Sequence, residues 1–130
     1  MDKYQILTSY FGYRNFREGQ EEIIEKLVSG QDVLAIMPTG AGKSLCYQVP
    51  ALMMDGITIV VSPLISLMMD QVKALNEAGI HAAYINSSLT ENQITKALAL
   101  AKEGRYKIIY VAPERLLTDR FLEFTCTAPI

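Results

Sequence analysis

Cysteine, histidine and long apolar runs are scarce in this sequence, and each shortage removes a class of protein. Cys46 and Cys126 lie far apart with no Cys-x-x-Cys, and His81 is the sole histidine. A disulfide framework or a zinc site therefore does not organise the chain, and reduced thiols fit a reducing cytoplasm. Basic residues are also few: 12 Lys and Arg against 14 Asp and Glu give a net charge of −2, with no basic run longer than a pair. Composition carries no nucleic-acid footprint, so any such contact must come from local placement. No apolar run approaches the roughly 20 residues that span a bilayer. The N-terminus, Met1-Asp2-Lys3, lacks a signal-peptide core, so a cytoplasmic, soluble chain without a membrane partner is expected. Repeats, low-complexity tracts and linkers are missing too. What remains is 130 residues, half hydrophobic and 20% charged, which fits one domain with a real core.

The most informative stretch is Met37-Pro38-Thr39-Gly40-Ala41-Gly42-Lys43-Ser44. It follows the apolar run 32–36 and precedes a helix-like stretch, 45–54. Strand, glycine-rich turn and helix together form the context of a phosphate-binding loop. Gly40 and Gly42 lack Cβ, which lets the backbone turn sharply and aim successive N–H groups at an anion. The helix that follows adds its unpaired amides and the positive end of its dipole. Lys43 can reach β- and γ-phosphates, and the Ser44 hydroxyl can ligate magnesium. The usual pattern has glycine at position 37, where this chain has methionine. The alternative is an ordinary tight turn with a solvated lysine. A non-glycine first position before Pro-Thr-Gly-x-Gly-Lys-Ser resembles superfamily 2 helicases more than kinases or small GTPases.

Periodicity predicts a helix over 3–11 stopped by Gly12, and a second from about Glu18 to Gly30 with Ile23, Ile24, Leu27 and Val28 on one face. Strands are expected at 32–37, 57–61, 81–85 and 106–111, the second buried on both faces. Helices are expected at 42–54, 64–78 and 90–103, the last capped by Thr90, with a short turn at 114–117. Beyond that the signals are weak. Strands alternating with helices predict a parallel, doubly wound α/β sheet. Ligands of such sheets sit beyond the carboxyl ends of the strands. The phosphate loop, Ser62-Pro63 and Ala112-Pro113 are thus expected along one rim.

Upstream, Phe11-Gly12-Tyr13-Arg14-Asn15-Phe16-Arg17-Glu18-Gly19-Gln20 is dense in groups suited to a purine. Tyr13 offers a stacking face, Arg17 a guanidinium plane, and Gln20 an amide that matches adenine N6 and N7. A plain helix connection with a surface glutamine is the alternative.

Four blocks now fall in order. Phe11-Gly12-Tyr13 with Phe16-Arg17-x-Gly19-Gln20 comes first, then Met37 through Ala51. Val60-Val61-Ser62-Pro63-Leu64-Ile65-Ser66-Leu67-Met68-x-Asp70-Gln71-Val72 and Tyr110-Val111-Ala112-Pro113-Glu114-Arg115-Leu116 follow. Together they resemble RecQ-family DNA helicases over about 10–117. The resemblance implies a RecA-like phosphate-loop NTPase domain, C-terminally incomplete, with N-terminal helices at 1–30 carrying the adenine motif. It implies ATP and Mg2+ as cofactors, with Tyr13, Arg17 and Gln20 around adenine. Pro38, Thr39, Gly40, Ala41, Gly42, Lys43 and Ser44 would meet the phosphates, with Lys43 and Ser44 catalytic and Ser44 on the metal. Ser62, Pro63, Leu64, Pro113 and Arg115 would lie along single-stranded DNA, holding phosphates without reading sequence. The implied reaction is ATP hydrolysis coupled to 3'–5' translocation and duplex unwinding in recombination and repair.

Two departures stand out. Glu18 replaces a frequent proline, and either suits a first helical turn. More consequentially, hydrolysis needs carboxylates to hold magnesium and to position water. The Asp-Glu-x-His block that supplies them in the family does not occur in these 130 residues. The chain is therefore expected to be the front portion of a motor domain, able to hold ATP but not to cleave it unaided. Unpaired strand edges and exposed apolar surface are expected as well. A non-hydrolysing ATP-binding module is the second reading, and a small-molecule kinase the third.

Overall fold

The computed structural model describes residues 1–38 and 42–130 and divides into two compact units, 1–55 and 56–130. In the first unit, α1 (Lys3–Ile6) runs into a wider helical turn at Leu7–Phe11, closed by Gly12. A capping box opens α1: the Asp2 carboxylate accepts from the Gln5 amide, and the Gln5 side chain accepts from the Asp2 amide. Next comes α2 (Gln20–Val28), preceded by Gly19 at φ +85°, with Glu21 and Glu22 at its positive end. The helix after the phosphate loop, α3 (Leu45–Met53), continues through Pro50. Ile6, Ile24 and Val49 bury against one another, with Tyr10, Phe11, Phe16, Leu45 and Leu52 around them. This small core is why the apolar stripes of α1, α2 and α3 meet.

An ionic cluster ties α1 to α2. Lys3 pairs with Glu21 at 2.9 Å and with Glu25, while the Tyr4 hydroxyl donates to Glu21. The Tyr4 bond, and after it the Lys3 bond, hold the Glu21 carboxyl below the ordinary carboxylate range.

The second unit is a sheet with helices on both faces. In chain order its elements are β1 (Thr58–Val61), α4 (Ile65–Glu77), β2 (Ala82–Ile85), α5 (Glu91–Lys102), β3 (Ile108–Val111), α6 (Pro113–Leu116) and α7 (Asp119–Thr127). The strands are parallel in the order β1-β3-β2, with Val61, Val111 and Ile85 in one row. Ile109 and Val111 face Ile94, Leu98 and Ala101 of α5 and Phe121 and Phe124 of α7. Tyr110 points to the other face, where its hydroxyl meets the Gln71 side chain of α4 at 3.5 Å. The parallel, doubly wound α/β class is as expected. Thr90 caps α5 as predicted, in a capping box with Gln93.

Three expectations are corrected. Residues 32–37 form no strand, and the described sheet has three strands rather than four. A strand exists only when a neighbour supplies its ladder; 32–37 has none among the described residues, and Leu34 and Ile36 stand 89% and 90% exposed. They border an open cleft of about 630 Å³, lined also by Arg17, Ile23 and Lys26 of the same unit. Burial on both faces belongs to β3, not to β1, because β1 has a single neighbour and its Val61 is half exposed. Finally, 119–127, where the pattern was weak, is the helix α7, opened by the Thr118 hydroxyl accepting from the Phe121 amide.

Ile109→Ala should lower the stability of the sheet unit by about 2–5 kcal/mol, whereas Val61→Ala should cost under about 0.5 kcal/mol. Urea titration followed by far-ultraviolet dichroism measures both; equal losses would contradict a central β3. Because the folded Glu21 value is depressed, its contribution is present above the unfolded carboxylate range and is lost as pH falls through the folded value. Tyr4→Phe should move the Glu21 titration upward in carboxyl NMR, and an unmoved titration would show that Tyr4 is not its main partner.

Candidate nucleotide site and strand-end rim

All residues expected around a nucleotide lie in the first unit. Gln20 opens α2 and is 1% exposed. Its amide oxygen accepts from the Arg17 backbone amide at 2.7 Å, and its Nε2 donates to the Gly42 carbonyl at 2.9 Å. The glutamine is thus a buried brace between the upstream motif and the phosphate loop, rather than a surface side chain. Gly42 sits at φ +74°, and a Cβ there would lie 2.4 Å from Gln20 Nε2. The left-handed backbone favours glycine, and a Cβ there would require the Gln20 amide to move. The Arg17 side chain approaches the same point, its Cδ 3.8 Å from that Cβ position. Tyr13 is half exposed on the connection beyond Gly12.

Thr39, Gly40 and Ala41 lie outside the described residues. Pro38 and Lys43 are exposed, and Ser44 is half-buried immediately before α3, whose first turn it joins by accepting the Gln48 amide at 3.0 Å. Among the described residues neither the Lys43 ammonium nor the Ser44 hydroxyl has a side-chain partner, so both remain available to a ligand. Met37, which stands where the loop pattern has glycine, is half-buried with its sulfur 3.8 Å from Cys46 Sγ. That thioether packs the loop's entry against α3, a use glycine could not serve. Burial pushes the Cys46 thiol up, so it is a packing group and not a thiolate.

The expected nucleic-acid residues lie in the second unit. Ser62 follows β1, its amide donating to Val111 O at 3.1 Å and its hydroxyl accepting from the Leu64 amide at 3.2 Å. Pro63 and Leu64 are exposed. Ala112 follows β3, its amide donating to Ile85 O at 3.1 Å, and Pro113 opens α6, which carries a half-buried Arg115. These two loops share the carboxyl rim of the sheet. The phosphate loop belongs to the first unit, and its residues 39–41 lie outside the described residues. Sequence reasoning missed the third strand end on the rim, the turn after β2 at 86–88. Its only signal was an apolar run that ends abruptly in Asn-Ser-Ser.

No group of three or more His, Cys, Asp or Glu side chains that could hold a metal ion occurs among the described residues. No helix of the described residues is long and apolar enough to cross a membrane.

The left-handed Gly42 before α3 and the parallel α/β sheet are features shared by the phosphate-loop class of α/β domain. Residues 17–126 match the family model of the DEAD/DEAH box helicases, and the chain belongs to that family. Its relatives narrow the type. The chain is 56% identical over 118 residues to the ATP-dependent DNA helicase RecQ of Bacillus subtilis (strain 168), covering 90% of this chain and 20% of that protein. To the RecQ helicase of Haemophilus influenzae (strain ATCC 51907 / DSM 11121 / KW20 / Rd) it is 51% identical over 118 residues, 91% of this chain and 19% of the relative. The RecQ helicase of Pasteurella multocida (strain Pm70) is 50% identical over 116 residues, 89% of this chain and 18% of its own length. The RecQ-type reading of the four motif blocks is borne out. The chain spans about a fifth of the length of these relatives and corresponds to an N-terminal part of a helicase domain.

Gly42→Ala should displace Gln20 and cost about 1–2 kcal/mol in backbone strain alone. In a double-mutant cycle read by thermal melting, Gln20→Ala should relieve part of that cost by removing the clash. Strict additivity would show that the two residues do not touch.

Proposed function

We propose that this chain is the ATP-binding part of a RecQ-type DNA helicase. One observation carries the reading: the Gln20 amide spans from Arg17 to Gly42, so a base-recognition motif and a phosphate loop are built as one unit. Tyr13 and Arg17 flank the adenine, and the Gln20 amide exchanges protein partners for the base edge when ATP enters. Pro38, Thr39, Gly40, Ala41 and Gly42 wrap the phosphates. Lys43 sets its ammonium against the β- and γ-phosphates, and Ser44 orients its hydroxyl toward Mg2+. The fit rests on Lys43 and Ser44 side chains that have no partner among the described residues at the start of α3, and on a Gly42 backbone in the left-handed region that glycine favours. Mg2+ held there by the Ser44 hydroxyl would supply positive charge against the nucleotide phosphates.

Ser62, Pro63, Leu64, Pro113 and Arg115 form the single-stranded DNA path at the strand ends, with Arg115 pairing a phosphate. In the whole protein, hydrolysis would drive 3'–5' translocation and duplex unwinding in recombination and repair. Hydrolysis also requires a carboxylate pair that these 130 residues do not contain as an Asp-Glu-x-His block. The chain alone therefore acts as an ATP-binding module that does not turn over.

Titrating the chain with ATP should show saturable binding, with GTP competing at least about tenfold more weakly through the mismatch at Gln20. Lys43→Ala should weaken ATP binding, and in the whole protein should lower DNA-stimulated ATPase by about 10²–10³-fold. An unchanged ATPase in that variant would defeat the nucleotide-site assignment. Phosphate release by the chain itself, with single-stranded DNA present, would defeat the claim that it cannot turn over alone.

A further inference from the structure

Between α5 and α7, beside the last residue of β2, the sheet unit holds a cavity of about 190 Å³. At roughly 20 Å³ per packed heavy atom, it accommodates a molecule of about nine such atoms. Ile85, Ile94, Leu98 and Phe121 form its inner wall, and all four are buried. Such a wall favours an apolar body over water.

The mouth is charged. Arg115, Arg120 and Glu91 line it, two guanidinium groups against one carboxylate, which leaves one net positive charge. Glu91 and Arg120 offset each other across the gap between α5 and α7, where their ion pair closes at 2.9 Å. The surplus charge is therefore that of Arg115. Its side chain is half-buried, and its guanidinium has no partner among the described residues. The neighbouring Thr118 hydroxyl is already committed, donating to the Arg115 carbonyl at 2.7 Å. A half-buried cation without a counter-charge beside an apolar wall is a costly arrangement that an anion relieves.

The guanidinium is a planar fork of N–H donors that meets a carboxylate in two parallel bonds. Fork and wall together specify a compact organic anion, one carboxylate on a branched-chain or aromatic body. An inorganic ion satisfies the fork and leaves the wall wet, and a neutral apolar molecule does the reverse. We propose that this cavity is a binding site for a small apolar carboxylate, held by the Arg115 guanidinium and the apolar wall. Glu91 and Arg120 tune its affinity from the mouth. Arg115 also stands on the DNA path proposed above, so an occupied cavity and single-stranded DNA compete for one guanidinium. That consequence rests on the proposed path, whereas the site itself does not.

Benzoate, with about nine heavy atoms, is the probe, read by saturation-transfer NMR on the whole protein. Binding should saturate with half-occupancy at or below about 1 mM, and benzamide and acetate should each bind at least about tenfold more weakly. Arg120→Ala leaves the Glu91 carboxylate unpaired at the mouth and should weaken benzoate about three- to tenfold. Glu91→Gln should tighten it about two- to threefold. Both side chains are exposed, so neither change should alter thermal melting. Absence of saturable transfer, equal binding of benzamide and benzoate, or an unchanged benzoate affinity in both variants would each overturn the site.

The competition is read separately, by fluorescence anisotropy of a labelled oligothymidylate. Saturating sodium benzoate should weaken binding about two- to fivefold relative to equal sodium chloride. If benzoate binds but leaves this affinity alone while Arg115→Ala lowers it, the competition is wrong and the DNA path stands. If Arg115→Ala leaves the affinity alone as well, the path is wrong and the site stands.

Discussion

Where Gly42 lacks a side chain, the amide of Gln20 fills the space. That contact ties the first turn of α2 to the phosphate loop and, through the Arg17 amide, to the connection ahead of it. A buried amide is tolerated only when its polar atoms are satisfied, so Gln20, Gly42 and Arg17 constrain one another. A change at any one of them is felt at the other two. The small core of Ile6, Ile24 and Val49 then holds the helices that present these residues.

The sheet unit obeys a different constraint. A parallel strand needs partners brought from afar in the chain, and β3 alone has them on both sides. Its four residues are fully buried, with aliphatic side chains toward α5 and α7 and Tyr110 toward α4. Parallel order places every strand's carboxyl end on the same rim. One geometric fact thus gathers Ser62, Ala112 and Asn86, residues scattered along the sequence, into one row at the strand ends.

Much of this was legible beforehand where the physics is local. Thr90 with Gln93 marks a helix start within four residues, and Gly12 marks a helix end at the residue itself. Pro113 at the first position of α6 likewise follows from its fixed φ. The short helix at 119–127 escaped because its apolar anchors, Phe121 and Phe124, are only two among polar neighbours and gain their meaning from packing on the sheet.

Residue identity alone determined the family and most helix boundaries, because motif spacing and caps act over a few residues. Tertiary structure decided which apolar runs became strands: 106–111 yielded the central one, whereas 32–37, equally apolar, has no ladder partner among the described residues. It also decided that Gln20 braces the loop and that the Asn86 turn joins the rim. Those outcomes depend on hydrogen-bond partners and strand order far away in sequence, which no local pattern encodes.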